Sequence, residues 1–111
     1  MVLSPCGGGA IGLAFAVVGG KWKTAVLWEL AGGPLRFGEL KRRVKGVSEK
    51  MLIQQLRELE RHQLITRTVF QEVPPRVDYA LTEWGVRLNE ALAPVADWGE
   101  AYARATGRYP A

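Results

Sequence analysis

The sequence contains one cysteine, Cys6, and one histidine, His62, among its 111 residues. A single cysteine excludes a disulfide within the chain and a cysteine-based zinc cluster, and it favours a reducing, cytoplasmic setting. No serine, cysteine or carboxylate stands at a recognisable catalytic spacing from His62, so the sequence predicts no catalytic residue and no enzyme. It also predicts no metal site and no cofactor.

A long hydrophobic run is missing as well. The most apolar stretch, residues 7–20 (GGGAIGLAFAVVGG), is shorter than the roughly 20 residues that a membrane-spanning helix needs. The cationic segment that would precede the apolar part of a secretory signal is also missing. The sequence therefore predicts no membrane partner, and we expect this stretch to form a buried helix.

Negative charge is scarce in one region and basic residues are concentrated there. The net charge is +4, and residues 36–50 hold six lysines and arginines against two glutamates, whereas residues 82–106 hold four acidic residues against two arginines. A regional positive charge favours an anionic partner without identifying it. With 48% hydrophobic residues the chain can build one modest core, so we expect a single domain over residues 1–111.

Helical spacing of apolar residues predicts four helices before residue 63. The first lies within residues 8–18, and a pair of glycines separates it from the second, KWKTAVLWEL. A short third helix is predicted over about residues 37–44. Gly46 ends it, and the Ser48 hydroxyl is a good N-cap for the fourth helix. Because so short a turn makes two helices cross steeply, residues 37–62 are predicted to form a helix-turn-helix.

The spacing changes from helical to alternating after the fourth helix. The segments ITRTVF and RVDYALT are rich in β-branched and aromatic residues, which predicts a hairpin, or wing, over about residues 65–81. Its tip contains Pro74 and Pro75, which cannot donate to a ladder, so we expect it to be stiff and projecting. Thr82 is the expected cap of a long final helix over residues 83–106, and Pro94 is expected to kink or split that helix.

The fourth helix, within VSEKMLIQQLRELERHQ, has two unlike faces. Leu52, Leu56 and Leu59 form a narrow apolar stripe at about 100° per residue, which predicts a side turned to the core. The opposite side is polar and carries Lys50, Gln54, Arg57 and Arg61. Most surface helices have such a polar side, so a solvated face explains this pattern about as well as a binding face does.

The ordered segments GGKWKTAVLWEL, LRFGELKRRVKGVSEKMLIQQLRELE, EVPPRVDYALT and DWG closely resemble the HxlR-type winged helix-turn-helix transcriptional regulators. The resemblance covers nearly the whole chain. It implies a mainly α fold with a small β-hairpin, a winged helix-turn-helix DNA-binding domain with N- and C-terminal dimerisation helices, and a small cytoplasmic homodimer on operator DNA. Gln63 stands where such proteins often have a glycine with positive φ, so the chain is expected to leave the fourth helix differently.

In a helix-turn-helix the second helix lies in the major groove, which makes its polar face a reading face. Ser48, Lys50 and Gln54 are then best placed for base edges, with glutamine suited to adenine and lysine to guanine. Arg57 is expected at a base or a phosphate. The predicted phosphate contacts, which add affinity without sequence information, are Arg61, Lys41, Arg42 and Lys45. Arg76 in the wing is expected at a phosphate or in the minor groove.

Other interpretations of these side chains stay open. Arg57 and Arg61 have ion-pair partners at helical spacing, and Arg76 has two candidate partners in the hairpin; these partners are Glu60, Glu58, Glu72 and Asp78. The competing functional class is a winged-helix module for protein–protein interaction without specific DNA binding. An enzyme is a far weaker alternative.

The two ends of the chain carry more apolar residues than so small a domain can easily bury, which predicts a homodimer. The predicted interface residues are Ile11, Phe15, Val18, Leu92, Val95, Trp98 and Tyr102. The resemblance further implies that Cys6 is a candidate redox or electrophile sensor, since an N-terminal cysteine has that role in some members. A lone cysteine is also often only a small apolar residue. The sequence identifies no small-molecule effector.

Overall fold

The computed structural model describes residues 8–109, so Cys6 lies outside the described residues. The described part forms five helices and three strands. In chain order these are α1 (Gly9–Val18), α2 (Lys21–Leu30), β1 (Leu35–Arg36), α3 (Phe37–Arg43), α4 (Glu49–Arg61), β2 (Ile65–Phe70), β3 (Arg76–Leu81) and α5 (Glu83–Thr106). The predicted mainly α fold, with a helix-turn-helix followed by a wing, is confirmed.

Side-chain caps fix where three of the helices begin. The Ser48 hydroxyl accepts from the Met51 amide at 3.1 Å before α4, and the Thr82 hydroxyl accepts from the Gly85 amide at 3.1 Å before α5. At α3 the Glu39 carboxylate accepts from the Arg36 amide at 2.9 Å. Each bond satisfies a first-turn donor that the helix itself leaves unpaired.

The sheet has three strands, in the order β1-β3-β2, where the sequence predicted only a hairpin. β2 and β3 pair antiparallel from Ile65 opposite Leu81 to Phe70 opposite Arg76. The additional strand, β1, is only two residues long and pairs with β3 through Leu35 and Tyr79. It connects the start of α3 to the wing, which holds the helix-turn-helix and the wing in one unit.

The core lies where α2, α3, α4 and the sheet meet. The predicted leucine stripe of α4 faces it, since Leu52, Leu56 and Leu59 are all buried. α2 lies centrally and contributes its own buried side chains. The other buried members are Val18, Val26, Leu27, Leu30, Leu35, Leu40, Val44, Val47, Leu64, Ile65 and Tyr79.

The chain passes from α4 into the sheet through a left-handed residue. Gln63 has a φ of 61°, so it adopts the glycine-like conformation, and the expectation of a different exit is wrong. This geometry lets the Leu64 amide donate to the Leu59 carbonyl at 3.0 Å. The same corner receives the start of α5, because the Thr82 amide donates to the Leu64 carbonyl at 3.0 Å and the Thr82 hydroxyl to the Gln63 carbonyl at 2.7 Å.

Two expectations about the terminal helices are wrong in part. Within one protomer α1 is not a buried helix, because Val18 is its buried residue whereas Ile11, Leu13 and Phe15 are exposed. Periodicity identified the helix, but it does not say whether a face is covered within one chain. α5 is not split at Pro94, because helix runs from Glu83 to Thr106, and a kink at Pro94 stays a prediction.

Within residues 8–109 no single helix has both the length and the apolar character to cross a membrane. α1 and α2 reach that length and composition only as a pair bent by 79°.

Candidate nucleic-acid interface

The polar face of α4 forms one exposed surface on the molecule. Lys50, Gln54, Arg57 and Arg61 are all exposed, and together with Glu49, Ile53 and Glu58 they line a continuous shallow depression. Ser48 is exposed at the helix N-terminus, where its hydroxyl is engaged as the cap. The structure therefore brings together the side chains that the sequence assigned to base reading.

The two arginines of α4 are not tied up by the predicted ion pairs. The ion pairs found within residues 8–109 include neither Arg57 nor Arg61. Both arginines are thus exposed and able to bind an anion. The charge of Arg61 contributes to the lowered pKa of Glu58.

Basic side chains are also found at the end of α3 and in the turn after it. Arg42 and Lys45 are exposed and Lys41 is half-buried, which suits contacts to a backbone more than to base edges. Arg43, in the same turn, lies 3.9 Å from the Glu29 carboxylate of α2. Arg43, which faces a carboxylate, is therefore not among the three predicted phosphate contacts.

A charged pair at the edge of the polar face of α4 was missed by the sequence interpretation. Lys23 of α2 is buried, and its Nζ donates to Glu58 Oε1 of α4 at 2.6 Å. The other carboxylate oxygen, Oε2, accepts from Gln54 Nε2 at 3.4 Å. The hydrogen bond and charge of Lys23 hold the pKa of the Glu58 carboxyl below its ordinary value of 4.5. The spacing of Gln54 and Glu58 was visible, but nothing in the sequence indicated that Lys23 is buried.

In the wing, Arg76 forms the alternative ion pairs. Its guanidinium lies 3.4 Å from Glu72 and 3.3 Å from Asp78, and it stacks over the Phe70 ring at 4.0 Å. These contacts hold the side chain against the hairpin and leave it half-buried. The tip beyond it projects, since Val73 is fully exposed. A nucleic-acid contact by Arg76 stays a prediction, and it requires a guanidinium shared with two carboxylates.

A second groove lies between α4 and the wing. Its lining includes Ile53, Arg57, Val77 and Tyr79, and also Arg67 of β2, an exposed residue that the sequence interpretation did not select. Arg67 stands opposite Tyr79 in the β2–β3 register. A second arginine therefore lines the groove on the side opposite α4.

Of the residues predicted for a dimer interface, most are exposed on α1 and α5. Ile11 and Phe15 on α1, and Val95, Trp98 and Tyr102 on α5, are exposed, and the Trp98 and Tyr102 rings stack at 5.0 Å between centroids. Leu92 is half-buried against the core. The prediction for Val18 is wrong, because this residue is only 3% exposed and packs inside the protomer, where it offers no surface to a partner.

Two apolar depressions lie beside α5. One, between α2 and α5, is lined by residues that include Trp28, Leu92 and Val95. The other, between α1 and α5, is lined by residues that include Leu13, Val17, Trp84 and Leu88. The exposed apolar surface of the two terminal helices is thus continuous with grooves that run along α5.

Comparisons with known proteins agree with this geometry. A family model described as HxlR-like helix-turn-helix matches residues 17–106. The chain is 47% identical over 96 residues to the uncharacterised HTH-type transcriptional regulator YkvN of Bacillus subtilis (strain 168). The matched region covers 84% of this chain and 81% of YkvN.

Solved structures are similar over most of the chain. A protein assigned to the MarR family of transcriptional regulators from Enterococcus faecalis V583 superposes with a TM-score of 0.80 at 41% identity, over 90% of this chain and 91% of that one. The redox regulator HypR in its reduced form superposes with a TM-score of 0.82 at 35% identity, over 89% of this chain and 98% of that one.

Proposed function

The chain belongs to the HxlR-like helix-turn-helix family and is a DNA-binding transcriptional regulator, and from this premise we propose that it acts as a homodimer on a pseudo-palindromic operator. α4 lies in the major groove, α3 anchors the phosphates, and the wing contacts the flanking backbone. The single observation that carries the proposal is the exposed polar face of α4, whose arginines have no protein partner among the described ion pairs.

The polar side chains have two kinds of role in this proposal. Lys50 and Gln54 read base edges near the N-terminus of α4, with Ser48 beside them, and Arg57 reaches a base or a phosphate. The sequence-independent contacts come from Lys41, Arg42, Lys45 and Arg61. Arg76 contributes from the wing.

Duplex binding and its salt dependence test the proposal. Each neutralised phosphate releases counterions, so the affinity should fall by orders of magnitude between about 50 and 200 mM salt. Gln54→Ala should change the preferred base at its position, whereas Lys41→Ala should weaken all duplexes by a similar factor. Failure to retain duplex DNA at low salt would contradict the proposal and favour a protein-interaction module. Equal, sequence-blind losses in the two variants would overturn the roles given to them.

The homodimer is formed by α1 and α5 packing around a two-fold axis. Ile11, Phe15, Val95, Trp98 and Tyr102 supply its apolar surface, with Leu92 at the edge. Two copies of α4 then face successive turns of one side of the duplex, about 34 Å apart. Sedimentation at micromolar concentration tests this arrangement, and a monomer would exclude it.

Regulation through Cys6 is a further part of the proposal. The similarity to HypR, a redox regulator, supports a response to oxidants or electrophiles. Because the chain has one cysteine, a disulfide can form only between two subunits. DNA affinity of the wild type and Cys6→Ser should be measured before and after mild peroxide. A change confined to the wild type supports a sensor, and identical affinities throughout exclude Cys6 from regulation.

We also propose that the protein is cytoplasmic and is not an enzyme. A regulator of this family works where the chromosome is, so we place the protein in the cytoplasm. It binds without catalysing a reaction, as the regulatory names of its relatives support.

A further inference from the structure

The partly buried pair Lys23–Glu58 lies next to the side chain proposed to read a base. Lys23 comes from α2 between core residues, and its side chain is 11% exposed, while that of Glu58 is 25% exposed. One carboxylate oxygen accepts from Lys23 at 2.6 Å, and the other accepts from Gln54 Nε2 at 3.4 Å. Three residues thus form a chain of contacts that runs from the core to the DNA-facing surface.

Lys23 determines where the carboxylate can be. A buried ammonium needs an acceptor, and losing its partner would leave an uncompensated charge in a poorly solvated place. Glu58 is ionised at neutral pH, where a carboxyl with the ordinary pKa of 4.5 has lost its proton, and the bond to Lys23 lowers that pKa further. An ionised carboxylate is acceptor-only, so Glu58 can receive hydrogen bonds but cannot donate one.

An acceptor at this position fixes which way the amide of Gln54 points. The amide nitrogen must face Glu58, because the reversed amide would bring its carbonyl oxygen against the carboxylate. Gln54 is left with its Oε1 and one N–H to offer outside. Adenine is read by one acceptor and one donor in a defined order, namely N6–H to the oxygen and N–H to N7. Fixing the amide therefore fixes the order in which donor and acceptor meet the base.

We infer that Glu58 is a specificity-determining residue that sets the amide orientation of Gln54, and that Lys23 is a positioning residue that holds Glu58 in place. The inference rests on the proposed reading of a base by Gln54. It gives the buried lysine a role in recognition although it lies on another helix and does not touch DNA.

The test compares base discrimination in a set of single variants. Glu58→Gln keeps the shape of the side chain but can donate as well as accept, so the amide of Gln54 is free to reverse. Affinities are measured for a selected operator and for the three duplexes that carry another base pair at the Gln54 position. We expect Glu58→Gln to reduce discrimination at this position by about tenfold. Discrimination at other positions should stay as in the wild type.

Two further variants separate this role from charge and folding effects. Glu60→Gln removes the same charge from an exposed position of the same helix, so it measures the general gain in affinity for DNA. It should leave discrimination unchanged. Lys23→Met keeps the length of the side chain without the ammonium and should lower discrimination as Glu58→Gln does. Thermal melting of each variant shows that the comparison is made on folded protein.

A double-mutant cycle decides the outcome. In a Gln54→Ala background, Glu58→Gln should have no further effect on base preference, because the group that it orients is gone. If Gln54→Ala alone leaves base preference unchanged, the proposed reading role is wrong and the inference fails with it. If Gln54→Ala changes the preference but Glu58→Gln does not, or changes it equally with and without Gln54, the reading role stands and the inference alone is overturned.

Discussion

Large apolar side chains are buried in the centre of the molecule but exposed on its terminal helices. In α4, Leu52 and Leu56 are at most 2% exposed, whereas Ile11 of α1 is 64% exposed and Trp98 of α5 is 66% exposed. The central helices and the sheet complete a core within one chain. The terminal helices leave their apolar side chains uncovered. Large exposed apolar patches of this kind mark sites of association.

The difference separates two tasks. The central half positions the polar face of α4 without a second subunit, since its buried stripe, its caps and its charged pair all belong to one protomer. The terminal half has surface to offer, and the proposed dimer would cover it. Stability of the reading surface and pairing of subunits should therefore respond to different substitutions.

Trp98→Glu should have the largest effect, because it acts on the proposed dimer interface. In a two-fold interface the change occurs twice, and each lost indole removes about 1.5–3 kcal/mol of burial, so dimerisation should weaken by about 3–6 kcal/mol. Analytical ultracentrifugation at micromolar concentration should then show a monomer with the helical circular dichroism of the wild type. Trp98→Phe serves as the control and should still dimerise. A Trp98→Glu dimer of wild-type affinity would contradict the proposed interface.

Leu56→Ala should act on the other half. It empties a buried site of the core and should lower the free energy of unfolding by about 2–5 kcal/mol. Val95→Ala, on the exposed side of α5, should change it by no more than about 0.5 kcal/mol. Urea unfolding in the Trp98→Glu background measures both without a contribution from dimerisation. Similar losses in the two variants would remove the distinction between the halves.

Gln63→Gly addresses the corner where the two halves meet. Gln63 has a φ of 61°, which costs a residue with a Cβ about 1 kcal/mol that glycine does not incur, so the variant should be more stable by roughly that amount. Gln63→Ala keeps the Cβ and should change stability little. Denaturation midpoints of the three proteins test this, and equal midpoints for glycine and glutamine would show that the corner is unstrained.

Acid should have the smallest and most local effect. Because the pKa of Glu58 is lowered in the folded state from its ordinary value of 4.5, the stabilisation by the Lys23 pair is fully present above that value and is lost as pH falls through the folded-state pKa. The stability difference between the wild type and Glu58→Gln should thus be constant at neutral pH and shrink only below about pH 4.5. A difference that disappears near pH 6 would contradict this assignment.

The sequence predicted features that depend on neighbours along the chain. The leucine stripe of α4, the caps Ser48 and Thr82, and the hairpin follow from spacing and local chemistry, and all are present. Features set by distant partners were missed. Lys23 lies 35 residues from Glu58, and β1 has only two residues, too few to give a pattern.

Exposure was predicted least well, for a physical reason. An apolar helical face has the same periodicity whether a core or a second subunit covers it, so α1 was wrongly expected to be buried. Arg76 gives a second example, for charged residues. The same guanidinium can pair with carboxylates of the hairpin or with a phosphate, and the sequence pattern does not distinguish the two.

The corner between α4 and α5 makes the long helix a lever. Thr82 is bonded to the carbonyls of Gln63 and Leu64, so the start of α5 is tied to the two residues that lead from α4 into the sheet. With 24 residues, α5 is about 36 Å long, so a tilt of about 5° at one end displaces the other by about 3 Å. That displacement is close to the rise of one base pair, about 3.4 Å. In the proposed dimer, an angular change of this size at an interface on α5 would correspond to a shift of about one base pair along the duplex at the end of α5 that is joined to α4.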